Sequence, residues 1–112
     1  VVYSVMANNY KNAKLDLTAT SVTTLYTAPD ATTSILKSIL VSEDSGNADT
    51  ITVTITNASA AVFSLFKVKA VAANTTVELL TAPLVVEEGE ILKVTAATAN
   101  RLHVVASILE IS

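Results

Sequence analysis

Residues 35–56 constrain this chain more than any other stretch. They hold an apolar run (residues 35–41), a polar loop of Ser, Glu, Asp, Gly and Asn (42–49), and a second run (50–56) in which Ile51, Val53 and Ile55 alternate with Thr50, Thr52, Thr54 and Thr56. Side chains on a strand point alternately to opposite faces, so the second run offers one face for burial and one for water. Loop residues of this type reverse a chain, and Gly46 is free to take a positive φ. The sequence reading is an antiparallel hairpin.

The rest of the chain follows the same grammar. Short runs rich in Val, Ile and Thr recur at residues 14–17, 21–27, 62–70, 76–80, 83–86, 91–96 and 102–111, separated by turn residues including Pro29, Asn57, Asn74 and Gly89. β-branched residues fit a pleated surface, and turn signals every 8–12 residues indicate a sandwich or barrel. The expected fold is all-β: a single antiparallel β-sandwich, jelly-roll-like, of about seven to eight short strands. Residues 1–12 read either as a mobile terminus or as an N-terminal extended arm that docks on a neighbouring subunit with Tyr3 and Tyr10 as its anchors, and 13–112 read as the sandwich domain. Met6 resembles a translation start, which would make residues 1–5 an upstream extension. In the run 62–70, Val62, Ser64, Phe66, Val68 and Ala70 are the expected core face, because Lys67 and Lys69 on the other face must reach water.

Composition narrows the function classes. The chain of 112 residues has no cysteine, one histidine and a net charge of −3 with seven Lys and Arg. Disulfides and zinc–thiolate centres are excluded, and no clustered basic surface for nucleic acid is present. No apolar run approaches the roughly 20 residues of a membrane-crossing helix, and the first residues lack the pattern of a signal peptide.

No stretch carries legible catalytic chemistry. His103 has no second histidine to complete a metal triad, and no nucleophile elbow surrounds any serine. It reads as a surface or interface residue, with a pH-responsive contact as the alternative. Glu43, Asp44 and Asp49 do not follow EF-hand spacing and read as a solvated turn, as do Glu87, Glu88 and Glu90. Asn57 and Asn74 sit in glycosylation-type triplets expected by chance in a Thr-rich chain. No catalytic, cofactor-binding or metal-binding residue is assigned, and no enzyme activity is expected.

Three segments together resemble a known group. Thr24-Leu25-Tyr26-Thr27-Ala28-Pro29 leads into residues 33–41; Ala72-Ala73-Asn74-Thr75-Thr76-Val77-Glu78-Leu79 leads to Pro83-Leu84-Val85-Val86-Glu87-Glu88-Gly89-Glu90-Ile91-Leu92-Lys93-Val94; and residues 104–111 close the chain. This order resembles small structural proteins of tailed bacteriophages, especially phages of marine bacteria and cyanobacteria, from about Thr20 onward. The resemblance implies that Pro29, Pro83 and Gly89 shape turns and that Leu92 and Val94 fill the core. Ile108 departs from it, standing where an aromatic is expected. It further implies a non-enzymatic virion protein assembled in the host cytoplasm, a capsid decoration (cement) protein in the leading reading. Its partners would be the major capsid protein or other virion proteins, together with copies of itself in a homo-oligomer such as a trimer. The alternative is a tail, neck or fibre component, including a receptor- or glycan-binding knob.

Overall fold

The computed structural model describes residues 8–112, so Tyr3 and the first part of the expected arm lie outside the described residues. Nine strands follow in order: β1 (Asn8–Asp16), β2 (Thr23–Thr27), β3 (Thr33–Glu43), β4 (Asp49–Thr56), β5 (Val62–Val71), β6 (Thr76–Glu78), β7 (Leu84–Val86), β8 (Ile91–Ala96) and β9 (Leu102–Ile111). A front sheet has the order β1-β9-β3-β6, with β7 also paired to β3, and a back sheet has the order β2-β8-β4-β5. Every described pairing is antiparallel. The expected all-β sandwich is therefore present, in the strand order of a jelly roll.

Most connections cross from one sheet to the other, and this corrects the reading of residues 35–56. β3 belongs to the front sheet and β4 to the back sheet, so the two runs form an arch and not a paired hairpin. Alternation fixes which side chains share a face; it does not say whether the next strand lies beside or above. Here Ile39 and Val41 of β3 are fully buried in the core with Ile51 and Val53 of β4. Thr50, Thr52 and Thr54 of β4 alternate with them and are half-buried, whereas Thr56 at the strand end is buried. The paired hairpin is β4–β5, whose turn is closed by the Asn57 side chain accepting from the N–H groups of Ser59 and Ala61 at 3.0 and 2.9 Å.

β5 departs from its expected phase. Register shifts between Ile51 and Val53 and between Val53 and Thr54 insert extra β5 residues against β4. Such bulges break the period of two. Leu65 and Phe66, neighbours in sequence, both pack on the core, whereas Val62, Ser64, Val68 and Ala70 of the expected core face are exposed. Val71 at the strand end is fully buried instead.

The first strand is longer than expected. Residues 8–12 pair with β9 from Asn8↔Ile111 to Asn12↔Ser107, so this part of the expected arm is a sheet strand of its own chain. Pro29 and Gly89 occupy turns that are tied together, Ala28 N–H donating to Glu90 O at 3.0 Å and Gly89 N–H to Ala28 O at 3.1 Å. Gly89 has φ +78°, a conformation that costs other residues energy. Leu92 and Val94 are fully buried.

Candidate assembly surface

The outer face of the front sheet is defined by register. Tyr10 pairs with Leu109, Leu109 with Ile35, and Ile35 with Val85, which makes one apolar row across four strands. Two steps along the strands, Lys14 pairs with Val105, Val105 with Leu40, and Leu40 with Glu78. Between these rows lie Asn12, Ser107 and Ser38 with Lys37, where a β3 bulge disrupts the ladder. Tyr10 is 72% exposed and Val85 53%, whereas Leu109 between its neighbours is only 8% exposed. Tyr10 thus lies on an outer face, held by strand pairing. Leu109, Ile35, Val85 and Leu40 were not singled out from sequence, since their alignment exists only once four distant segments are in register.

The β3 bulge frees the N–H of Ile39, and the Glu78 carboxylate accepts it at 2.8 Å, along with the Ser38 hydroxyl and, at 3.2 Å, the Leu80 N–H. Burial works against the charge of Glu78, but the donors from Ser38, Ile39 and Leu80 outweigh it and hold its pKa below the usual carboxylate value.

His103 also lies on this face. Its Nε2 is 3.3 Å from an Asp16 oxygen and its Nδ1 is 3.6 Å from an Asp44 oxygen, so it stands between the end of β1 and the arch loop. Among the described residues, no group of three His, Asp or Glu side chains is placed to hold a metal ion.

The acidic loop is not the solvated turn expected for all three of its members. Glu43 is only 2% exposed. Its carboxylate accepts from the Ser45 hydroxyl, from the N–H groups of Ser45 and Gly46 at 2.8 and 3.1 Å, and from Asn74 N–H at 3.1 Å. Burial raises its pKa, yet these donors together bring it down to about 2. The charge therefore ties the β3–β4 arch to the β5–β6 turn. Asp49 is also buried and accepts from Thr98 N–H at 3.1 Å. Asp44 stays on the surface.

A second buried polar group joins the sheets. The Tyr26 hydroxyl of β2 donates to Glu110 of β9 and lies 2.6 Å from the Ser34 hydroxyl of β3. Lys11 of β1 reaches Glu110 at 3.6 Å with its ammonium 5.9 Å from the centre of the Tyr26 ring. Burial, and then the bond to Glu110, push the Tyr26 phenol up to about 12. These groups satisfy one another and present no open site.

No family model matches the chain, and no curated protein matches it. Among solved structures it is similar to a chain described as "Bacillus endospore appendages form a novel family of disulfide-linked pili", with a TM-score of 0.57, 10% identity, and coverage of 95% of this chain and 86% of that one. At that identity the likeness is one of fold. The present sequence has no cysteine with which to form the disulfide link named for those pili.

Proposed function

We propose that the chain is a non-enzymatic structural subunit of an assembled particle, in the specific form of a decoration protein bound to the head of a tailed bacteriophage. The observation that carries the structural part is the apolar row of Tyr10, Leu109, Ile35 and Val85 on the outer face of a sandwich whose core is already complete. An ordered outward apolar row on a small domain suits burial against another subunit of an assembly, a copy of the chain included. The phage part rests on the sequence resemblance, and the fold likeness to an appendage subunit supports a building-block role without naming a particle. In this reading the subunit stabilises the shell by burying surface on adjacent major capsid proteins, and repetition by symmetry multiplies each small contribution. Imaging of purified particles by electron cryomicroscopy tests it. Density for this sandwich on the capsid lattice is the expected result; its confinement to the tail, or its absence from particles, overturns the head assignment.

A further inference from the structure

The outer face of the front sheet is self-complementary. β9 and β3 are its central strands, with β1 on one side and β6 and β7 on the other. A two-fold axis laid along the strands between β9 and β3 exchanges the two sides while keeping each row at its own height. Residues of β9 then oppose residues of β3 in the second copy, and residues of β1 oppose those of β6 and β7. Under that operation Leu109 meets Ile35 of the other copy and Tyr10 meets Val85. In the next charged row Val105 meets Leu40, and the Lys14 ammonium meets the Glu78 carboxylate. An isologous contact requires this reciprocity, in which residue i meets j and j meets i.

We propose that this face binds a second copy of the chain, front sheet to front sheet, about a two-fold axis between β9 and β3. Charge complementarity selects a copy as the occupant, because the only lysine in the Lys14 row falls opposite the only glutamate. The middle row suits the same arrangement: Ser38 falls opposite Ser107, and the bulged Lys37 next to Ser38 can donate from its ammonium to Ser107 and to Asn12 beside it. With strands about 4.8 Å apart and a rise of about 3.3 Å per residue, five rows across four strands cover roughly 600 Å² per copy. The pair then buries about 1,200 Å², the lower border for a specific complex, so association is expected in the micromolar range. The inference rests on reading this face as an assembly surface. The two fail separately, because a monomeric chain overturns the pairing, whereas absence from particles overturns the particle role.

Two exposed positions provide the test. In one copy Tyr10 and Val85 stand three strand spacings apart, about 14 Å, too far to pair with each other. Tyr10→Glu and Val85→Lys are each expected to weaken dimerisation at least tenfold, and the double variant to recover it, because each new carboxylate faces the new ammonium of the other copy. Both side chains are long enough to span the offset of sheets packed at about 30°. Sedimentation equilibrium at about 10–1,000 μM reads the mass, with twice 11.7 kDa expected for the unaltered chain. Thr54→Lys on the back sheet is the control and leaves the mass unchanged, and circular dichroism verifies that each variant is folded. A monomeric or trimeric unaltered chain overturns the proposal, as does a folded double variant that stays monomeric or a Thr54→Lys variant that dissociates.

Discussion

The two sheets bury similar aliphatic faces but present different outer surfaces. The front sheet carries Tyr10, Leu109, Ile35 and Val85 in one row across four strands, whereas the back sheet turns Thr50, Thr52, Thr54 and Thr95 outward and leaves its exposed apolar side chains, Val62, Phe63 and Val68, on the single edge strand β5. Their borders differ as well. β1 of the front sheet is held to β2 and β9 by Lys11, Tyr26 and Glu110. β5 of the back sheet pairs through two irregularities, with Val68 at φ +53° and largely exposed. The inner alternation specifies the sandwich; the outer residues distinguish its two surfaces, and β5 shows the strain accepted at the border of the back sheet.

The sharpest test of this difference removes one outward side chain from each sheet. Leu109 is nearly as buried as a core residue although it faces outward, so Leu109→Ala is expected to cost about 2 kcal/mol or more by urea denaturation of dilute protein. Thr54→Ala on the back sheet should stay within about 0.5 kcal/mol, as surface substitutions do. Equal costs for the two would abolish the distinction between the faces.

The pinned border comes next in size. Tyr26→Phe leaves Ser34 and Glu110 buried without the phenol, an expected loss of about 1–3 kcal/mol. Its pH signature is specific. A phenol whose folded pKa lies at about 12, above its ordinary value of 10.0, contributes stability fully present below pH 10 and lost as pH rises toward 12. The Phe variant should lack that part of the alkaline loss, and in the unaltered chain one tyrosine should ionise late in an absorbance titration.

A smaller change is expected at Glu43, where Gln preserves one accepting oxygen for the arch donors. The carboxylate's folded pKa of about 2 lies below its ordinary value of 4.5. Its contribution is therefore present above pH 4.5 and lost as pH falls toward 2. Thermal melts across that window should show a shallower acid decline for Glu43→Gln than for the unaltered chain.

Much of this was legible wherever alternation ran unbroken. β8 and β9 have the ends expected from sequence, and the inner set Ile51, Val53 and Ile55 of β4 packs on or within the core as read. The arch was not legible, because the same period of two suits a neighbour in the plane or across the core. Glu43 was misread because one of its donors, Asn74, lies 31 positions away and becomes a neighbour only when β6 pairs with β3. The outer apolar row was half legible. Tyr10 stood out as an aromatic in a polar stretch, but Leu109, Ile35 and Val85 share its row only through the register of β9, β3 and β7.

The smallest expected effect concerns the border that carries strain. A β-branched residue at positive φ is a backbone outlier costing on the order of 1–3 kcal/mol, tolerated where the surroundings dictate the conformation. At Val68 the dictating contact is visible: its N–H donates to the Thr52 hydroxyl at 3.1 Å, inside the irregular stretch of the β4–β5 ladder. Asn accepts this backbone region more readily than Val and leaves the N–H in place. Because the Val68 side chain is exposed, little packing is lost, and Val68→Asn should stabilise the chain by about 0.5–1 kcal/mol in urea. Thr52→Ala removes the acceptor and should act in the opposite direction. A Val68→Asn variant that is destabilised would mean that this side chain contributes more to packing than its exposure indicates, and the back-sheet border would then be as firmly built as the front.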